Sequence, residues 1–256
     1  MTWCVNRRAA LAVLGWTAFA GRANAQAAAS PTGREILQRM EALIWADTMR
    51  GEFEMRITTP RWERTLGLRI WMDRPKRSFV RVLSPAKEAG IGSLRIGNEM
   101  WNYLPAVERT IKIPPSMMLQ PWMGSDFTND DLVKQSSAID DYVQQVTAEE
   151  TLDGRPAWRI EALPKPDAPV VWGRIVYWIR KDFIPVKQEY YSDRGELTRV
   201  MTFSEIRPIG GRSIPTRWEM KPLGKPGNVT VILVKDAEFN TAVDNEVFTQ
   251  RNLQRR

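Results

Sequence analysis

The sequence predicts a mainly β fold: an incomplete, unclosed antiparallel β-barrel of about 11–12 strands with a helical lid or plug. Three observations carry this expectation. Short apolar/polar alternations recur along the chain between tight turns. One amphipathic helix precedes them. One irregular stretch rich in methionine and tryptophan interrupts them near the middle. Open sheets of about a dozen strands curl or split, and a curled sheet needs something inside it.

The chain opens on a segment that belongs to no fold. Arg7 and Arg8 precede an apolar run from Ala9 to Ala20, and Ala23-Asn24-Ala25 forms a small-x-small pattern suited to cleavage before Gln26. Residues 1–25 therefore read as a cleavable signal peptide, for the general secretory or the twin-arginine route. The apolar run falls short of the roughly 20 residues a membrane span needs. Residues 26–256 are expected to form a single domain, long enough to bury a large core.

Residues 32–49 place Ile36, Leu37, Met40, Leu43, Ile44 and Met49 at helical spacing, with Pro31-Thr32 at the start and Gly51 beyond the end. The period then changes to two. Phe53, Met55 and Ile57 alternate with charged residues, and Leu66, Leu68, Ile70 and Met72 share one face. Further strands are expected at 76–83, 91–97, 99–104, 108–113, 142–151, 156–163, 171–180, 186–192, 196–206, 213–220 and 228–239. Turns such as Gly97-Asn98, Asp153-Gly154 and Gly210-Gly211 separate them, which argues for a continuous meander. In 171–180, Ile175, Tyr177 and Ile179 make one face, and Trp172, Arg174, Val176, Trp178 and Arg180 the other. That pattern fits either a large core under a Trp/Arg-stacked outer face or the wall of an apolar cavity. The tail Asp244–Leu253 reads as a short closing turn or helix.

Composition narrows the chemistry. The chain has no histidine, and its single cysteine, Cys4, lies in the expected signal. Imidazole- and thiol-based catalysis and zinc or copper sites built on those groups are excluded, and no mature disulfide can form. The formal charge of +7 is partly carried by the arginines of the signal, and no basic block of nucleic-acid type occurs. No nucleic-acid partner, metal or cofactor is expected.

The segment "QPWMGSDFTNDDL" (Gln120 to Leu132) admits three readings. As a calcium loop, Asp126, Thr128 and Asp130 have the alternate spacing, but Asp131 stands where the turn glycine belongs and Ser137 where the bidentate glutamate belongs. As a catalytic carboxylate pair, Asp126, Asp130 and Asp131 offer acid and base, with nothing to place two of them across a cleft. As a helix cap, Thr128 with Asp131 makes a variant capping box, and Asp130 and Asp131 suit a helix N-terminus. On that reading Gly124 allows the sharp turn, Ser125 belongs to the same structural motif, and Pro121, Trp122, Met123 and Phe127 supply apolar surface. With Met117, Met118 and Leu119 upstream, this loop reads either as a lid or as a loop packed on the core.

The stretch "EMWNYLPAVERTIKIPPSMMLQPWMGSDFTNDDL" resembles the outer-membrane lipoprotein-sorting proteins, the LolA/LolB-like family. The marks are Trp101-x-Tyr103-x-Pro105, the strand from Arg109 to Ile113, and Gly124-Ser125-Asp126-Phe127-Thr128 with Asp131-Leu132. "SPAKEAGIGSL" and "EVFTQRNL" resemble the family as well, so the likeness spans the mature chain. The resemblance implies an unclosed barrel with a helical lid over a hydrophobic cavity, and non-catalytic binding of the acyl chains of a lipoprotein or another lipid in the periplasm. It also implies partnership with an RND-type inner-membrane transporter and an outer-membrane acceptor, and an arginine that holds the lid shut, for which Arg64 is the candidate. The cavity or lid candidates are Leu66, Leu68, Ile70, Trp101, Tyr103, Met117, Met118, Trp122, Met123 and Phe127. A monomer is expected. Two other functions compete: a periplasmic adaptor of a membrane transporter that carries no cargo, and a carboxylate-based glycan hydrolase.

Overall fold

Thr32 starts the first helix, α1 (Gly33–Ile44). Its hydroxyl accepts from the Glu35 amide, and the Glu35 carboxylate accepts from the Thr32 amide at 2.8 Å, a reciprocal capping box. The computed structural model describes residues 30–133 and 137–255. The expected signal peptide, with its arginine pair and Cys4, lies outside the described residues. Ile36, Leu37, Met40 and Ile44 form the buried stripe of α1. Gly33 allows the helix to start against the sheet, since a Cβ there would stand 2.9 Å from the Gln144 carbonyl oxygen. The helix ends at Ile44, not at residue 49. Ala46 takes a left-handed φ of 56°, and Met49 is already buried in a strand that pairs on both sides. Two ladders of hydrogen bonds outweigh one further turn of helix.

Among the described residues thirteen strands follow, slightly more than the expected 11–12: β1 (Thr48–Thr58), β2 (Glu63–Asp73), β3 (Arg77–Ser84), β4 (Gly92–Ile96), β5 (Glu99–Leu104), β6 (Arg109–Lys112), β7 (Tyr142–Leu152), β8 (Arg155–Pro164), β9 (Arg174–Arg180), β10 (Pro185–Tyr191), β11 (Leu197–Ile209), β12 (Arg212–Pro222) and β13 (Val229–Phe239). They form one antiparallel sheet in the order β6-β5-β4-β3-β2-β1-β13-β12-β11-β10-β9-β8-β7. Sequence neighbours pair everywhere except between β6 and β7, and β1 pairs with β13 in the middle of the sheet, bringing the chain's two ends together. The free edges are β6 and β7, and these two are consecutive in sequence. The segment between them, described at residues 113–133 and 137–141, is therefore tied to both edges of an unclosed sheet. Helices α2 (Asn129–Val133) and α3 (Ser137–Asp140) lie in it.

Alternation sorts the side chains as expected for strands with one covered face. On the inner face, Met55, Leu66, Leu68, Val80, Val82, Met100 and Met220 join one core, and Ile36, Leu37 and Met40 of α1 join Ile160, Ile175 and Tyr177 in another. The outer face is not uniformly wet. Phe79, Leu94 and Tyr103 point outward and are covered by Phe248 and Leu253 of the C-terminal segment. That segment is a 3₁₀ turn (Asn245–Phe248) followed by α4 (Gln250–Leu253). Arg81 holds it down by donating to the carbonyls of Asn252, at 2.7 Å, and Leu253, at 3.1 Å. On the other half, Trp178 carries the Lys187 ammonium over its ring at 3.7 Å and donates to Glu150 at 2.9 Å. Trp172 departs from the expected outer row: it precedes β9, escapes the alternation, and faces inward. Among the described residues no helix is long and apolar enough to cross a membrane.

Candidate functional site

The segment between β6 and β7 is built by local hydrogen bonds before it touches the sheet. Residues 122–124 form a 3₁₀ turn with Met123 at φ 53° and Gly124 at φ 72°, so the glycine supplies a backbone conformation that side chains resist. The Trp122 amide donates to the Phe127 carbonyl at 2.7 Å, and the Ser125 hydroxyl donates to the Trp122 carbonyl at 2.7 Å. Thr128 and Asp131 then close a box: the Thr128 amide donates to the Asp131 carboxylate at 2.7 Å, and the Asp131 amide donates to the Thr128 hydroxyl at 3.2 Å. That box starts α2 with Asp130 and Asp131 in its first turn.

Four sheet residues hold this lid. The Trp122 indole donates to the Ser93 hydroxyl of β4 at 3.0 Å. The Thr230 hydroxyl of β13 donates to the Asp126 carboxylate at 2.7 Å and accepts from the Asp126 amide at 3.0 Å. Arg64 of β2 donates to the Met123 carbonyl and lies 3.4 Å from the Glu88 carboxylate. Arg199 of β11 pairs with both oxygens of Asp131, at 2.5 and 2.7 Å. The Arg199 side chain is 5% exposed, its guanidinium lies 4.3 Å from each of the Trp172 and Tyr190 ring centres, and its Nε has no partner among the described residues. Burial alone would lower the affinity of this guanidinium for its proton; the Asp131 carboxylate reverses the balance and raises it above the ordinary value. The arginine contact expected at Arg64 exists, but the bidentate ion pair is made by Arg199.

Beneath the lid lies a cavity of about 210 Å³. A single water needs roughly 10–15 Å³, so the space is large enough for an alkyl chain. One wall is α1, with Met40 and Ile44. The sheet contributes Phe53, Leu68, Ile70, Met201, Phe203, Trp218, Met220 and Ile232, and the lid closes it with Trp122, Phe127 and Leu132. Trp172 and Tyr190 complete the wall beside Asp131. The few polar groups are largely engaged. The Tyr142 hydroxyl donates to the Trp172 carbonyl at 3.1 Å, and the Tyr190 hydroxyl donates to Gln188 at 2.7 Å. Burial pushes the Tyr190 phenol up to about 12 and the Tyr142 and Tyr177 phenols well above their usual range, so all three stay neutral at physiological pH. Glu41 also reaches the wall; burial raises its carboxyl pKa against the pull of Arg74, to which it is ion-paired. A lining of this kind can hold hydrocarbon.

Of the residues singled out from the sequence, Leu68, Ile70, Trp122 and Phe127 are in the cavity wall, and Asp131 joins them. Leu66 is in the same core, behind the wall. Met118 and Met123 pack against that core from the lid, while Met117 is 43% exposed. Trp101 and Tyr103 are on the opposite face, in the cluster under α4, because the C-terminal segment covers a part of the sheet that the alternation alone reads as solvent or cavity. The acids of the opening loop do not converge: Asp126 faces Thr230, and Asp131 faces Arg199. Sequence reading missed Arg199, Trp172, Tyr190 and the β11–β13 wall. One signal was available for Arg199: it is in phase with Leu197, Met201 and Phe203, a charge on an apolar face.

The unclosed antiparallel sheet, spanned at its free edges by a lid over an apolar hollow, is a LolA-like fold. A family model described as an uncharacterized protein matches residues 74–255, well over half of the sequence, and the chain belongs to that family. Three solved structures have the same fold. A DUF1329 family protein from Desulfovibrio piger is 23% identical with a TM-score of 0.78, over 86% of this chain and 97% of that one. An outer-membrane lipoprotein-sorting protein domain from Vibrio parahaemolyticus is 22% identical with a TM-score of 0.75, over 87% and 98%. A LolA superfamily protein from Nitrosomonas europaea is 22% identical with a TM-score of 0.74, over 87% and 100%. No curated protein matches the chain.

Proposed function

We propose that this protein is a non-catalytic periplasmic carrier that encloses the acyl chains of a lipoprotein or another lipid and passes them toward the outer membrane. Residues 1–25 would direct export, and residues 26–256 would be the single carrier domain. The observation that supports this reading is the apolar cavity of about 210 Å³ beneath a lid anchored mainly by polar contacts. Each methylene moved from water into such a site gains roughly 0.8 kcal/mol, so long acyl chains cross an aqueous space only when shielded. The lid's own Trp122, Phe127 and Leu132 share the wall that cargo would contact. Cargo therefore competes with lid packing, which keeps binding reversible.

The rival readings have less support. An adaptor without cargo has no use for the hollow. A carboxylate hydrolase needs a free acid–base pair, and Asp126 and Asp131 are held by Thr230 and Arg199. In the carrier reading, the donor would be an RND-type inner-membrane transporter and the acceptor an outer-membrane component. Lipid extracts of the purified protein and titration of the delipidated protein with a fluorescent fatty acid test the proposal. The expected result is bound lipid and saturable binding at one site; protein that is always empty and binds no acyl probe overturns it.

A further inference from the structure

The carrier reading leaves one group unused. Arg199 is a buried cation on the inner face of β11, in phase with the cavity-lining Met201 and Phe203. Its guanidinium is itself not part of the cavity wall. Asp131, Trp172 and Tyr190, which are, cover it. Two rings at 4.3 Å fix the plane of the guanidinium, and one edge presents two donors in the fork that matches a carboxylate or phosphate. Its Nε is buried with no partner among the described residues, so the donor set is larger than the ion pair uses.

The acids that act on this cation, Asp131 foremost and Asp130 behind it, both ride on the lid. Admission of cargo that shifts the lid would carry them away. Arg199 would then remain on the sheet, desolvated and without its counter-charge, an arrangement that is strongly unfavourable. A neutral guest cannot correct this. A guest with an anionic group at one end of its alkyl chain can, by taking the place of the Asp131 carboxylate.

We propose that Arg199, framed by Trp172 and Tyr190, is the headgroup receptor of the carrier, and that the cargo is an amphiphile whose anionic headgroup exchanges with Asp131. This deepens the carrier reading and rests on it. The lid acid is then an internal mimic of the cargo headgroup, and the ion pair is a competitor that both closes the empty protein and selects what opens it.

The test uses the delipidated mature chain and three probes: hexadecyl phosphate, hexadecanol and inorganic phosphate. Hexadecyl phosphate is expected to bind about tenfold or more tightly than hexadecanol, in line with charge-assisted hydrogen bonds to a buried group. Inorganic phosphate, which lacks the chain, is expected not to displace it. In Arg199→Gln the preference should collapse toward unity, and in Asp131→Asn it should widen, because the internal competitor is gone. If Arg199→Gln does not fold, Arg199→Lys keeps the charge without the fork, and the preference should narrow but persist. Equal binding of phosphate ester and alcohol by the wild-type protein overturns the headgroup assignment and leaves the carrier reading standing. A preference unmoved by Asp131→Asn also overturns it. Displacement by inorganic phosphate would reduce the site to a plain anion site and overturn the amphiphile. Failure of both chain-bearing probes to bind overturns the carrier reading itself.

Discussion

Arg199 of β11 and Asp131 of α2 meet through two hydrogen bonds of 2.7 and 2.5 Å, with both side chains largely withdrawn from solvent. They are 68 residues apart in sequence, one fixed near the start of a strand and the other on the segment that spans the sheet's free edges. Removing one partner strands the other. Arg199→Met or Asp131→Leu alone is expected to lower the unfolding free energy by about 3–5 kcal/mol, read by urea denaturation. The double replacement should recover most of that loss, because no buried charge then remains. Single variants that cost less than about 1 kcal/mol would show that the pair is solvated in solution.

The cap that starts α2 shares the Asp131 carboxylate with the ion pair, but it can be weakened without removing either charge. Thr128→Ala removes the hydroxyl that accepts from the Asp131 amide and should cost about 0.5–2 kcal/mol. Amide exchange at residues 129–132 should accelerate while that of β1 and β13 stays slow. Uniform acceleration across the sheet would mean that the lid and the sheet open as one unit.

Glu41 gives a pH dependence of definite sign. Its carboxyl is raised in the folded protein, by burial, above the ordinary value of 4.5. The folded state therefore binds more protons than the unfolded chain between those two values. The stability this provides is complete below 4.5 and is lost as pH rises through the folded value. Glu41→Gln, which cannot ionise, should compare more favourably with wild type at pH 7 than at pH 4. Paired thermal scans at the two pH values check this, and the opposite trend would show that the Arg74 ion pair outweighs burial.

Filling the hollow should separate binding from folding. Ile232 lies in the wall and is only partly buried, so Ile232→Trp has room to project inward. A stability change within about 1–3 kcal/mol is expected, with at least tenfold weaker binding of a fluorescent fatty acid. Unchanged probe affinity would place the acyl site elsewhere.

The strands were legible because their physics is local. Leu66, Leu68, Ile70 and Met72 alternate, and the thirteen ranges expected from such patterns each correspond to one strand. What alternation cannot say is which covered face is the cavity. Trp101 and Tyr103 share a face by period, yet that face is buried under Phe248 and Leu253, residues about 150 positions away whose docking no local pattern encodes. The end of α1 was misread because the helical period continues to Met49, while pairing with Met72 and Phe239 decides the matter. Arg199 and Glu41 carried a readable sign, a charge in phase with buried neighbours, which announces a partner without naming it.

The pairing of β1 with β13 has a topological consequence. Ten register pairs, from Met49 with Phe239 to Thr58 with Val229, stitch a six-stranded N-terminal half to a seven-stranded C-terminal half, and the only covalent bridge between the halves is the strap across the mouth. A single proteolytic nick in that strap would leave two fragments joined along this seam and by the packing of α1 on the C-terminal half. The molecule is thus a natural candidate for a split reporter, whose halves reassemble at their shared ladder and announce the event by closing over a lipophilic dye.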